Sequence, residues 1–262
     1  YYKDEKGEWY QADYGTTDLN TYTLKTRGGV TLLANLFSPE KVYSTTGTFY
    51  PDADPETSTV DGFSGRGSID ETFSVIRVGA GTIFDDTSTS ILARLYSSAT
   101  TNQYLRADRA FMLFDTSSIT GTVTNVVLSI YKEGLVTALG TPDLHFASSN
   151  PVSNTGLANG DYVNRGTTSF GSFTGANFLD AQYTNTTLNA SGIANVTMGG
   201  ISKFSALLSW DINNSFTGTW SASTYSHFLF SSAEYTGTSQ DPKLVVTYTL
   251  PANPKQDVIW FD

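Results

Sequence analysis

Apolar and polar residues alternate at period two through most of this chain. Gly, Asn, Asp or Pro breaks the alternation roughly every 8–12 residues, the rhythm of short antiparallel strands. The stretch from Arg106 to Lys132, RADRAFMLFDTSSITGTVTNVVLSIYK, shows it best. In its first half Phe111 and Leu113 point one way and Ala110, Met112 and Phe114 the other. Both faces are apolar, which predicts a central strand. Asp115-Thr116-Ser117-Ser118 follows, and its side-chain oxygens suit a turn that ends the strand. In the next strand Val126, Leu128 and Ile130 share one face, opposite Asn125, Val127, Ser129 and Tyr131. Helical periodicity is weak everywhere. Its best case, LNASGIANVTM (Leu188 to Met198), holds a glycine and β-branched residues and predicts one or two turns at most.

Three zones follow along the chain. Residues 1–46 carry charge (Lys3, Asp4, Glu5, Lys6, Glu8), aromatics (Trp9, Tyr10, Tyr14) and a Gly28-Gly29 break, and read as an N-terminal attachment arm. Residues 47–250 form the main domain. It closes on KLVVTYTL, with Leu244, Val246, Tyr248 and Leu250 on one face, before Pro251 and Pro254 stop the ladder. Residues 251–262 form an apolar C-terminal tail with Val258, Ile259, Trp260 and Phe261, docked on its own domain or against a neighbouring subunit. The chain opens on Tyr1 without a signal-peptide pattern, which fits removal of a leader or a piece of a longer protein.

Composition narrows the function classes. The absence of cysteine removes disulfides and thiolate metal sites. A formal net charge of -10 argues against a nucleic-acid partner and against anionic membrane surfaces, since both need clustered Lys and Arg. No run of 18 apolar residues is present, so no membrane insertion is expected. Few charges (15%) with 13% aromatics and abundant Thr, Ser, Asn and Gly suit a virion-surface or extracellular β protein.

RAFMLFDTSSITGTVTNVVLSIY (Arg109 to Tyr131) resembles the hallmark of the DNRLRE, or disaggregatase-related, domain family. There an aromatic strand ending in Phe-Asp-x-Ser-Ser-Ile leads into a Val/Ile-rich strand. FLFSSAEYTGTSQDPKLVVTYTL (Phe228 to Leu250) is similar to that family's close, and TVDGF (Thr59 to Phe63) to its opening. The resemblance spans about 200 residues. It implies a jelly-roll-like antiparallel β-sandwich, of a kind found beside polysaccharide-active enzymes and on cell surfaces, with some members binding acidic polysaccharide. The style of SSNPVSNTGLANGDY and NASGIANVTMGGISKFSA is closer to structural proteins of phages and environmental metagenomes.

Catalytic machinery is hard to find. His145 and His227 are the only histidines, and His227 alternates with Leu229 as a strand residue does. No nucleophile elbow, P-loop or zinc-protease motif occurs. Glu71 and Glu234 sit in strand-like contexts, yet nothing sets them apart among 25 acidic residues. For a metal, Asp52, Asp54 and Asp61 gather where the sandwich begins and offer the oxygens calcium takes. An EF-hand is excluded, because Thr57 stands at its glycine and Phe63 at its last glutamate. Asp85-Asp86 is a second acidic pair, and all of these also read as turn caps. For a glycan, Arg94, Tyr96, Tyr104 and Arg106 offer aromatic faces and hydrogen-bond donors. Arg109 alternatively pairs inside the fold with Asp108 or Asp115. Trp210 and Trp220 bracket DINNSFTGT, as loop flanks or as packing. Asn185, Asn189 and Asn195 head glycosylation-acceptor triplets that chance explains in so Asn/Thr-rich a chain.

The expectation is therefore an all-β, jelly-roll-like antiparallel β-sandwich with an N-terminal extension, non-catalytic, and structural or adhesive on a phage virion. The expected partners are other virion or surface proteins, reached through the arm and tail, and a host glycan. Presentation as a homo-oligomer or multivalent array would let weak sites suffice. Structural calcium is the one cofactor considered. The alternative is a secreted carbohydrate-binding module of a polysaccharide-degrading system.

Overall fold

A computed structural model of the chain describes residues 43–250. It also describes the backbone of β1 (Tyr2–Lys3) paired antiparallel with β2 (Trp9–Tyr10), and of β3 (Tyr22–Lys25) paired antiparallel with β4 (Thr31–Ala34). The rest of the expected arm and the apolar tail lie outside the described residues. The larger compact unit runs from Ser44 to Thr249.

That unit is all-β, as the alternation predicts. Its strands are β5 (Tyr43–Phe49), β6 (Asp61–Thr72), β7 (Ile83–Asp85), β8 (Ser90–Ser97), β9 (Gln103–Asp115), β10 (Thr122–Thr137), β11 (Leu144–Ser148), β12 (Gly171–Phe173), β13 (Tyr183–Thr187), β14 (Ile201–Leu208), β15 (Tyr225–Ser231) and β16 (Lys243–Leu250). Helix is confined to short turns, α1 (Phe73–Val78), α2 (Ala190–Ala194) and α3 (Ser209–Ile212), with 3-10 turns at Asn159–Val163 and Gly175–Asn177. α2 is the single turn allowed by the sequence, and Asn189 caps it by accepting the Gly192 N–H.

Two long strands shape the sheet. β9 pairs with β6 along one edge, from Asp61↔Met112 to Thr72↔Gln103. Its other edge is shared: β8 takes Tyr104 to Asp108, and β14 takes Ala110 to Asp115. Arg109 stands where the two partners part. From this fork the sheet continues one way through β8 and β15 to β10, and the other way through β14 and β11 to β12. β10 pairs with β16 and β13 in its first part and with β15 in its second, past an irregularity between Lys132 and Gly134. The sheet thus curls on itself into a sandwich.

The core lies between the two arms of the fork. Phe228 and Phe230 of β15, with Ile91, Ala93 and Leu95 of β8, meet Phe204, Phe146 and Phe173 of the other arm. Phe173 stacks edge-on to Phe228 with centroids 5.7 Å apart, and Phe178 lies 5.3 Å from the same ring. The two-faced strand is as expected. Ala110, Met112 and Phe114 enter this main core, while Phe111 and Leu113 enter a second cluster with Val60 and Leu157. The Asp115 turn is also as read, with Asp115 Oδ1 accepting the Ser117 N–H at 2.9 Å.

Candidate functional site

The outward face of β8, β9 and β15 is built by cross-strand pairs. Arg94 stands opposite Asp108, Tyr96 opposite Arg106, and on the other side His227 opposite Arg94 and Tyr225 opposite Tyr96. Side chains paired this way share a face. Asp108 has no exposed side-chain surface and sits between two cations: Arg94 Nε donates to Oδ2 at 2.8 Å, and Arg106 Nε to Oδ1 at 2.8 Å. Gly65 faces it across β6, and any Cβ there would overlap Asp108 Oδ1. Burial pushes the Asp108 carboxyl above its usual range, against the pull of Arg94 and Arg106. Both arginines bond through Nε alone. Their terminal nitrogens carry no hydrogen bond among the described residues and remain available at a half-buried surface.

Beside them Tyr96 and Tyr225 are half-buried and meet edge to face at 5.7 Å. The His227 ring lies 5.1 Å from Tyr225. Burial, and then the charge of Arg94, lower the His227 pKa, so the imidazole is neutral at physiological pH.

Tyr104 does not belong to this face. It is 3% exposed, packed against Phe73 at 5.7 Å and Phe216 at 5.3 Å, and burial raises its phenol to about 12. The irregularity between Tyr96 and Ser97 in the β8–β9 ladder offsets Tyr104 from the alternation that carries Arg106.

Arg109 takes neither Asp108 nor Asp115 as its partner. It is 1% exposed and forms a two-point pair with Asp211 of α3, Nε to Oδ2 at 2.5 Å and Nη2 to Oδ1 at 2.9 Å. Its Nη1 donates to the Tyr162 carbonyl, its Nη2 also to the Arg77 carbonyl at 2.6 Å, and its guanidinium lies 3.8 Å from the Tyr162 ring centroid. Arg77 and Arg165 complete the surround of Asp211. The adjoining cavity of about 20 Å³ has room for no more than a water molecule. This cluster is a keystone of the fork, with no space for a ligand.

At one end of the sandwich an open cleft of about 730 Å³ runs between residues 48–57 and 233–241. The three carboxylates expected to hold calcium are all near it but have separate tasks. Asp52 Oδ2 accepts the N–H groups of Thr57, Ser58 and Thr59 and the hydroxyls of Thr57 and Ser58. Burial works to raise its pKa, but these bonds prevail and hold it below the usual value. Asp54 is exposed. Asp61 is fully buried and takes the Ala233 N–H at 3.1 Å. Among the described residues no three Asp, Glu or His side chains converge where one metal ion would meet them all. Asp85 and Asp86 cap backbone too, Asp85 Oδ1 at Thr87 and Ser88 and Asp86 Oδ2 at Leu157.

In or close to the same cleft stand carboxylates that the alternation did not set apart. Glu234 lies in the loop after β15 rather than in a strand, and both its oxygens are buried without a hydrogen bond. Asp241 Oδ1 and Glu56 Oε1 are in the same condition. Trp210 and Trp220 pack with the core; Trp210 meets Phe216 at 4.8 Å, and Trp220 Nε1 donates to the Gln103 carbonyl.

No known protein-family profile matches this chain, and no curated protein matches it in sequence.

Proposed function

We propose that this chain is a non-catalytic adhesive module displayed on a phage particle. In this reading Arg94, Tyr96, Arg106, Tyr225 and His227 form the face that meets a host glycan. The observation that carries the reading is the clamp at Asp108. One buried carboxylate fixes two guanidiniums through their Nε atoms, and their remaining nitrogens carry no hydrogen bond among the described residues, on the face that also holds Tyr96 and Tyr225. Such donors suit the hydroxyls or carboxylates of a sugar, and the rings suit its C–H faces. Two cations share one anion, so the face is locally basic on an acidic protein. The charged, aromatic stretch 1–46 and the apolar tail 251–262 supply attachment in this account, and repetition on a particle compensates for weak single sites.

A secreted carbohydrate-binding module is the second reading. Every group of the face comes from one chain, so binding needs no assembly. Affinity electrophoresis through neutral and uronate-bearing polysaccharides, run beside a mass measurement in solution, separates the two. Retardation by a symmetric oligomer fits the virion reading, and retardation by a monomer the secreted module. No retardation in any gel removes the glycan from both.

A further inference from the structure

Glu234 and Asp241 line the cleft between residues 48–57 and 233–241, and Glu56 and, at the start of β6, Asp61 lie close enough for the charge of Glu234 to raise both. Asp61 is fully buried and Asp241 is 3% exposed. Asp241 Oδ1, Glu56 Oε1 and both Glu234 oxygens are buried with no donor at hydrogen-bond distance, and Asp61 has only the Ala233 N–H. The Ser232 hydroxyl and the Asp54 N–H are near enough to Glu234 only to offset part of the rise that burial causes. None of the ion pairs among the described residues reaches any of the four. Lys243, two positions after Asp241, places its Nζ 3.6 Å over the Tyr183 ring. Other groups facing the cleft add negative charge or none. Asp54 and Asp86 act on Glu56, and Asp54 also on Glu234. Asp52 and Asp115 line the wall with the Tyr50 and Tyr235 rings.

Ionised carboxylates without donors or counter-charge are strongly unfavourable in a buried setting. A cation or a proton must neutralise them. The four do not converge on a common ligand position, which favours protons: a protonated carboxyl satisfies itself and a neighbour through one O–H. The loop they hold is fixed mainly at its ends. It is tied at one end by Ser232, which donates to the Thr89 and Ser88 carbonyls, and at the other by the Tyr183 hydroxyl on the Asp241 carbonyl. Residues 235–239 between are exposed.

We propose that this joint is a proton-operated latch: protonated carboxylates hold the 232–241 loop against β6 in mildly acidic medium, and their ionisation loosens it above neutrality. The direction follows from linkage. Burial, and then Glu234, raise Asp241 from 3.8 to about 7. Burial raises Glu56, Glu234 and Asp61 as well. The folded chain therefore binds more protons than the unfolded one between about pH 4 and pH 7. Stability from the latch is complete at the acid side, falls as pH rises through this window, and levels off above it.

The test is thermal unfolding of the whole chain between about pH 5 and pH 8, with a carboxyl-carbon NMR titration as the local readout. The expected result is a Tm lower by roughly 5 °C or more at the alkaline end, with Asp241 titrating near neutrality. Asp241→Asn should remove most of that slope and raise the Tm at pH 8; Glu234→Gln provides the same test if the first variant folds poorly. A wild-type Tm that is flat or rises with pH overturns the latch, as does a slope that both variants retain. Millimolar CaCl2 at pH 8 should leave the Tm unchanged relative to EDTA. A rise matching the acid effect would overturn the proton latch in favour of a cation site.

Discussion

Arg109 and Asp211 lie 102 positions apart in sequence and meet as a two-point ion pair inside the fork of the sheet. The pair joins the only β9 residue between its β8 and β14 partners to the helical turn that follows β14. Arg77 and Arg165 converge on the same carboxylate, and Arg109 also ties the Tyr162 and Arg77 carbonyls. Removing one partner strands buried charge. Asp211→Ala is expected to destabilise the domain by about 3–5 kcal/mol, read as a lower midpoint in urea with an unchanged slope. A loss under about 1 kcal/mol would show that the cluster does not hold the fork.

The two faces of β15 separate packing from recognition. Phe228 is completely buried, whereas its neighbour His227 faces outward beside Tyr225 and Arg94. Phe228→Ala should cost about 3–5 kcal/mol of stability and leave glycan retardation intact below the melting range. His227→Ala should show the reverse pattern, with weaker retardation and an almost unchanged urea midpoint.

Gly65 tests the clamp from behind. A methyl group at this position runs into Asp108 Oδ1 and lies 3.0 Å from the Ala107 carbonyl. Gly65→Ala should therefore cost about 1–3 kcal/mol and weaken glycan binding without touching any group that meets the sugar. Unchanged binding would mean that Asp108 does not set the arginine geometry.

Asp52 gives the opposite pH sign from the latch. Hydrogen bonds hold its carboxyl below 3.8, so it stabilises the fold above that value. The contribution is lost as pH falls through the lower, folded-state value. Asp52→Asn should cost roughly 1–3 kcal/mol at neutral pH and flatten the acid limb below about pH 4. Circular dichroism along an acid titration checks both effects.

Much of the fold was legible because alternation records it directly. Phe111 and Leu113 against Met112 and Phe114 marked a strand buried on both faces, and β9 is that strand. Asp115 marked its turn, and Asn189 its one-turn helix. What alternation cannot record is where a ladder slips, so Tyr104 read as a surface partner of Arg106 and is a core residue. Nor does it record long-range partners. Asp108 and Asp115 were the acids close in sequence to Arg109, while Asp211 arrives through the packing of β14. Asp52 and Asp61 read as one acidic group where the sandwich begins, and their carboxylates serve a turn and a buried joint. Arg94, Tyr96 and Arg106 read from sequence as one group with Tyr104, and the first three share a face. Tyr225 and His227 complete their face only because β15 pairs with β8.

Affinity electrophoresis of paired variants decides whether the Arg94, Tyr96 and Arg106 face binds glycan. Tyr96→Ala removes a half-exposed ring with little effect on the core, and Arg106→Ala removes a clamped donor while Arg94 still pairs with Asp108. Wild-type protein should be retarded by at least one polysaccharide, and each variant should lose about tenfold or more in affinity, near 1.4 kcal/mol. The urea midpoint of Tyr96→Ala should stay close to that of the wild type, and that of Arg106→Ala should fall because Asp108 keeps one of its two arginines. Equal retardation of wild type and both variants would contradict glycan binding at this face.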